Sequence, residues 1–296
     1  MENLLEFYQN LPSFVSPVIF SIGAFQLRWY SLGYIVTFIV AGEVIKWRIR
    51  HKENTFPITA LDVYDAYFYT LLGVILGGRL GYLIFYDFNF LQNYPMQAFL
   101  PFKIDENGWT FTGISGMSYH GGLIGFIVAF YVFIRRKQFS FFKVLDFFMP
   151  AIPLGYTFGR LGNFMNGELY GRVTEVFWGM YFINPNTQLP FDTLRHPSQL
   201  YEAAIEGIGV FAVLWTVRNY KLPTGTLSGL YLVCYGAGRF IAEFFREPDE
   251  FFKDPGELVG TVWGFMTMGQ VLCLVMVLCG GFILYWARTV QKPATS

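Results

Sequence analysis

The stretch Thr70-Leu71-Leu72-Gly73-Val74-Ile75-Leu76-Gly77-Gly78-Arg79-Leu80-Gly81-Tyr82-Leu83-Ile84-Phe85-Tyr86 decides the fold class. With the residues from Tyr64 onward it is an apolar run long enough to cross a bilayer as a helix. Gly73, Gly77 and Gly81 recur every fourth residue, a ladder of small positions that lets a second helix approach closely. Arg79 sits inside the run and needs an anionic partner or a watery cavity at that depth.

Similar runs recur on both sides, about seven in all. They span about Trp29–Ile45, Tyr64–Tyr86, Met117–Ile134, Phe141–Phe158, Gln199–Val217, Thr226–Phe245 and Val262–Trp286. Pro150 and Pro153 should kink the fourth. The fold class is therefore an all-α polytopic membrane protein, with residues 1–296 forming one integral membrane domain. Residues 1–20 mix Leu4, Phe7, Phe14 and Phe20 with Pro12 and Pro17 and read as an interfacial arm. Residues 87–116 read as a loop. Residues 160–196 form the longest polar stretch, and the β character of Val173–Phe182 predicts a small extramembrane head.

Composition agrees: 54% of the 296 residues are hydrophobic and only 14% charged, against about 25% charged in soluble domains. The formal net charge is zero, so no field draws nucleic acid. Cys234, Cys273 and Cys279 lie in apolar runs and read as buried small hydrophobes rather than a disulfide framework. No His/Cys/Asp cluster has metal-ligand spacing, so neither a metal nor another cofactor is expected. The first residues carry acids where a signal peptide needs bases, so the first span should be retained. Lys46, Arg48 and Arg50, Arg135–Lys137, Arg218 and Lys221, and Arg288 mark alternate loops as cytoplasmic. The N-terminus then lies outside and the C-terminus inside.

Polar residues gather in Gly159-Arg160-Leu161-Gly162-Asn163-Phe164-Met165-Asn166-Gly167-Glu168-Leu169-Tyr170-Gly171, which opens at the end of an apolar run and closes in a polar loop. Arg160 and Asn163 share a helix face and can present a guanidinium fork and an amide to a phosphate or carboxylate. A glycine-capped helix end with a snorkelling arginine would explain Arg160 alone, but not the second Asn and the Glu. The sixth span carries Tyr235, Arg239, Glu243 and Arg246 within about an 80° arc, and Arg239 and Glu243 are spaced to pair. His120 opens the third span, as an interfacial hydrogen-bonder or as a base. His196, with Ser198 as a candidate N-cap, starts the fifth. Glu202 and Glu206 enter that span one turn apart and could answer Arg79. Arginines facing a membrane cavity beside a candidate base suggest phospholipid chemistry at the outer leaflet. A lipid or anion transporter has a similar cavity.

The block Gly159-Arg160-x-Gly162-Asn163-Phe164-x-Asn166-x-Glu168-x-x-Gly171 resembles the signature of the bacterial phosphatidylglycerol–prolipoprotein diacylglyceryl transferases. Arg28-Trp29-Tyr30, Gly77-Gly78-Arg79, His120-Gly121-Gly122, Arg195-His196-Pro197-Ser198-Gln199 and Tyr235 to Arg246 match in family order. The resemblance implies a seven-span inner-membrane enzyme with its active site toward the periplasm. It would move the diacylglyceryl group of phosphatidylglycerol to the lipobox cysteine of a preprolipoprotein signal peptide and release glycerol phosphate. It assigns catalysis to Tyr30, His120, Asn163, Glu168, Arg239 and Glu243. Lipid binding falls to Arg160, Arg239, Asn163, Gly171, Tyr235 and Arg246. The expected division of labour has Arg160 and Arg239 clamp the phosphate, with Glu168 and Glu243 holding the arginines. His120, or a carboxylate such as Glu243, takes the thiol proton.

Overall fold

The computed structural model describes residues 2–22, 25–95, 100, 102–105, 108–111, 116–184, 187–247, 261–262 and 265–290. It is mostly helical and divides into two compact units, Met1–Glu53 with Leu145–Ser296, and Asn54–Val144.

The first unit opens with α1 (Glu2–Gln9) and α2 (Leu11–Phe14), then the hairpin β1 (Val18–Ile22) and β2 (Phe25–Arg28). α3 (Trp29–Arg50) starts where the sequence places the first span. In the second unit lie α4 (Ala60–Tyr86), α5 (Phe88–Asn93), the hairpin β3 (Phe102–Asp105) and β4 (Gly108–Phe111), and α6 (Tyr119–Arg136). α7 (Phe141–Phe148) leads back to the first unit. There follow α8 (Ala151–Met165), α9 (Ser198–Glu202) running through a π-helical turn at Ala203–Gly209 into α10 (Val210–Val217), and α11 (Thr226–Ala242). The short pair β5 (Thr261–Val262) and β6 (Met266–Thr267) precedes α12 (Met268–Val290).

Three helices among the described residues are long and apolar enough to cross a membrane: Ala60–Tyr86, Ser198–Val217 and Met268–Thr289. Phe85 is 77% exposed and Leu278 72%, outward apolar surface that suits lipid and not water.

The glycine ladder of α4 works as its spacing predicts. Methyl groups built on Gly73 and Gly77 would run into the backbone of Gly125 and Gly121 on α6, and one on Gly81 would stand 2.8 Å from Gly121 Cα. In the first unit, Gly33 of α3 meets Gly162 of α8, with room for no side chain between them: an added Cβ at Gly33 would lie 3.2 Å from Gly162 Cα. That contact seats the first turn of α3 against the signature block. α11 lacks a side-chain cap of its own. Asp146 of α7 supplies one, accepting from Gly225 N at 2.6 Å, Ser228 N at 2.8 Å and Ser228 Oγ at 2.6 Å.

Several expectations are corrected. The fourth run is two helices, broken at Met149-Pro150, because proline clashes with the preceding turn. Residues 87–116 are not a loop throughout: they hold α5 and a hairpin. The 173–182 segment makes only isolated bridges, Val173 and Met180 each with Arg195. Met180 and Phe182 instead pack with Phe164 against Tyr8 and Leu11 of the N-terminal arm, while Val173, Phe177 and Trp178 stay exposed. The last long helix begins at Met268, since Val262 is in β5. Ser198 is the first residue of α9 rather than its cap, and its hydroxyl donates to Leu169 O at 3.0 Å. His196 does meet the start of this span: its carbonyl accepts from Ser198 N at 2.8 Å, its ring Nδ1 lies 3.1 Å from Tyr201 OH, and burial lowers the imidazole's proton affinity below the usual histidine value. Cys273 is buried and Cys234 half-buried, but Cys279 is exposed on α12.

Candidate active site

Arg160 and Arg239 come together in the first unit through a carboxylate that the sequence reading sent elsewhere. Glu202, 1% exposed, spans them: Oε2 lies 2.8 Å from Arg160 Nε and Oε1 3.0 Å from Arg239 Nη1. Glu206, one turn on and fully buried, accepts from Tyr156 OH at 2.7 Å and stands 3.9 Å from Arg239 Nη1. The pair thus answers Arg160 and Arg239. Arg79, in the second unit, donates to Gly116 O at 3.3 Å.

Tyr156 is the residue that the sequence reading missed. One turn before Arg160 on α8, its hydroxyl accepts from Arg160 Nε at 2.7 Å while donating to Glu206. Its ring lies 4.8 Å from the Arg160 guanidinium carbon and meets Tyr235 edge-on at 5.7 Å. The only signal was an aromatic residue at i−4 from the signature arginine.

Glu243 pairs with Arg239 as its spacing predicts, at 2.9 Å. Its other oxygen accepts from Thr267 Oγ1 at 3.1 Å. Thr267 and Gln270 exchange the two hydrogen bonds of a capping box at the start of α12, at 3.0 and 3.2 Å. Glu243 therefore rests where that helix presents its positive end.

The signature loop continues the network. Asn163, 5% exposed, accepts from Arg160 Nη1 at 3.3 Å and donates to Glu168 Oε1 at 2.8 Å. Among the described residues Glu168 thus holds Asn163 and not an arginine. The loop is pinned from beneath by Ser198 and by Gln199, whose Nε2 donates to Glu168 O at 2.6 Å. These anchors hold Leu169 at φ 58°, a left-handed conformation costly for a leucine. Tyr30 N donates to Asn166 Oδ1 at 3.2 Å, and its hydroxyl to Tyr34 at 2.9 Å.

Gly171 is a crossing point: its N–H donates to His196 O at 2.8 Å, and an added Cβ would sit 2.7 Å from His196 Cβ. Arg246 leaves the expected stripe, since α11 ends at Ala242, and its backbone bridges Gly171. Its side chain lines a cavity of about 980 Å³ with Arg28, Asn166 and Glu168, beside the signature loop. His120 heads α6 of the second unit and is exposed.

Two mostly buried guanidinium groups joined by a shared carboxylate have the chemistry to bind a phosphate that displaces that carboxylate. The family model for prolipoprotein diacylglyceryl transferase matches residues 17–286. A Chlorobaculum tepidum protein named phosphatidylglycerol–prolipoprotein diacylglyceryl transferase is 46% identical over 97% of this chain and 95% of its own length. Proteins of the same name from Coxiella burnetii (44% identical, 92% of this chain, 95% of theirs) and Legionella pneumophila (42%, 93% and 97%) are also similar. With matches of that strength from end to end, the chain belongs to the prolipoprotein diacylglyceryl transferase family.

Proposed function

We propose that this protein transfers the diacylglyceryl group of phosphatidylglycerol to a cysteine thiol of a prolipoprotein, the first step of lipoprotein maturation. The observation that carries the reading is the Arg160–Glu202–Arg239 bridge inside a membrane protein of this family. Sulfur attacks the glycerol carbon, a thioether forms, the carbon–oxygen bond to phosphate breaks, and the bonding pair leaves with glycerol phosphate. The thiol proton is lost, because the thiolate is the nucleophile.

Arg160 and Arg239 take the phosphate and stabilise the charge that grows on it. Asn163 and Tyr30 orient the lipid, Asn163 being fixed by Glu168, and Glu243 holds Arg239. Tyr235, Gly171 and Arg246 complete the lipid's surroundings. The acceptor is the lipobox cysteine of the signal peptide. The setting is the bacterial inner membrane, with residues 1–296 as one domain of seven spans and residues 160–196 and the active site on the periplasmic side. The alternation of basic loops supports that orientation.

The proton goes to His120 or to a carboxylate such as Glu243. If His120 is the base, His120→Gln loses the acid limb of the pH–rate profile and most of its rate. An unchanged limb at near-normal rate removes His120 from that role. The reaction itself is tested with purified protein, labelled phosphatidylglycerol and a lipobox peptide. Transfer adds the mass of a diacylglyceryl group to the peptide cysteine. Lipid movement across vesicles with no mass gain would make the protein a transporter.

A further inference from the structure

Among the described residues, the two arginines face three carboxylates, more negative charge than they can neutralise. Glu202, Glu206 and Glu243 all contact or adjoin the two guanidinium groups, and all three carboxylates are at least nine-tenths buried. A lipid phosphodiester arriving between Arg160 and Arg239 brings a fourth anion to two cations. Buried uncompensated charge is expensive, and groups so placed take up protons instead.

Of the three carboxylates, Glu206 is least committed to a cation. Glu202 gives one oxygen to each arginine, and Glu243 has Arg239 at 2.9 Å with Thr267 on its other oxygen. Glu206 instead meets a neutral hydroxyl through Oε2, and its buried Oε1 has no hydrogen-bond donor among the described residues, with Arg239 Nη1 standing off at 3.9 Å. Tyr156 is built for a change of partner. Its hydroxyl is 2.7 Å from Glu206 Oε2 and 3.4 Å from Glu202 Oε2. Once Glu206 is protonated, Tyr156 can accept from it and rotate its own hydrogen to Glu202. The π-helical turn that begins directly after Glu202 carries Glu206 in this position, with Gly207 packed on Thr157 of α8.

We propose that Glu206, poised by Tyr156, is a positioning residue that takes up one proton when the lipid phosphate binds the arginine pair. Lipid binding and proton uptake are then one event. The titratable and charged groups around Glu206 are Tyr156 and Arg160 of α8, Glu202 before it on its own segment, Tyr235, Arg239 and Glu243 at α11, and Cys273 of α12. The inference rests on the proposed transferase reading, in which a phosphodiester is the ligand.

The test is the dissociation constant of short-chain phosphatidylglycerol for the detergent-solubilised full chain, measured without peptide from about pH 6 to about pH 9. Where Glu206 is ionised in the free protein, each pH unit should weaken binding about 10-fold, because one proton must be drawn in. Glu206→Gln is neutral throughout, so its binding should stay within about 2-fold of the wild-type low-pH value. Tyr156→Phe keeps the ring but removes the donor to ionised Glu206, so the onset of weakening should move to higher pH. This second variant carries the test if Glu206→Gln fails to fold. Wild-type affinity that does not change with pH, a slope that survives in Glu206→Gln, or an onset unmoved in Tyr156→Phe would each overturn the proposal. Peptide modification by the wild type is scored separately: transfer with pH-independent lipid binding defeats the proton coupling alone, and absence of transfer defeats the transferase reading.

Discussion

Glu202→Ala is expected to destabilise the protein by about 3 kcal/mol and to abolish detectable transfer. Glu202 is 1% exposed and is the one carboxylate, among the described residues, that contacts both Arg160 and Arg239. Removing one member of a buried ion-pair network weakens the compensation of its partners, and here two charges are affected at once. The loss stays at the lower end of the usual range because neither arginine is stranded. Arg160 keeps Tyr156 at 2.7 Å and Asn163 at 3.3 Å, and Arg239 keeps Glu243 at 2.9 Å. The two guanidinium groups would then lose the one carboxylate that touches both, so the spacing proposed to receive a phosphate is lost along with stability. Thermal melting in detergent beside the peptide-modification assay separates these effects. Glu202→Gln retains the shape and one acceptor, so it should melt closer to wild type than the alanine variant. A wild-type melting temperature in Glu202→Ala would show that the bridge contributes nothing to holding the helices.

What could be read in the sequence and what could not divides along the range of the interaction. Gly73, Gly77 and Gly81 mark one face of one helix, and Arg239 and Glu243 are four residues apart, so short-range periodicity suffices for both. The same holds for Arg160 with Asn163. The partner of a charge on another helix is a different matter. Glu202 and Glu206 were visible as acids one turn apart, but nothing in their spacing chooses between Arg79 and the pair Arg160 and Arg239. Packing makes that choice, through Gly207 against Thr157 and Gly238 against Ile205. Tyr156 was hidden because an aromatic residue in an apolar helix has no polar pattern around it. Arg246 was misplaced for a boundary reason: the stripe assumed a helix running past Ala242, and a backbone bridge to Gly171 ended it. The hairpin at Phe102–Phe111 was legible, since apolar and polar residues alternate in Phe102-Lys103-Ile104-Asp105 and Trp109-Thr110-Phe111 on either side of Asn107-Gly108, but runs of three or four residues are short enough to pass for a loop.

Arg239→Lys should lower turnover by about 10-fold or more, since losing an interaction worth over about 1.4 kcal/mol in the transition state has that effect. The usual defence of this substitution is that charge is kept. Arg239, however, uses its two terminal nitrogens in different directions: Nη1 reaches Glu202 at 3.0 Å and Nη2 reaches Glu243 at 2.9 Å. A planar fork can hold both carboxylates and still turn an N–H edge toward a phosphate oxygen. An ammonium is one point of charge and cannot occupy both positions. One nitrogen can hold two carboxylates, as Lys137 holds Asp62 and Asp65, but it then has no fixed N–H edge left for the phosphate, whose growing charge meets a cation no longer fixed where it develops. Folding should suffer less than turnover, because at least one ion pair survives. The deciding comparison is kcat for peptide modification against melting temperature, measured on the same preparation. Normal kcat in Arg239→Lys would remove this arginine from the clamp. A fall in melting temperature matched by the fall in rate would make it a structural strut between α11 and the Glu202 segment.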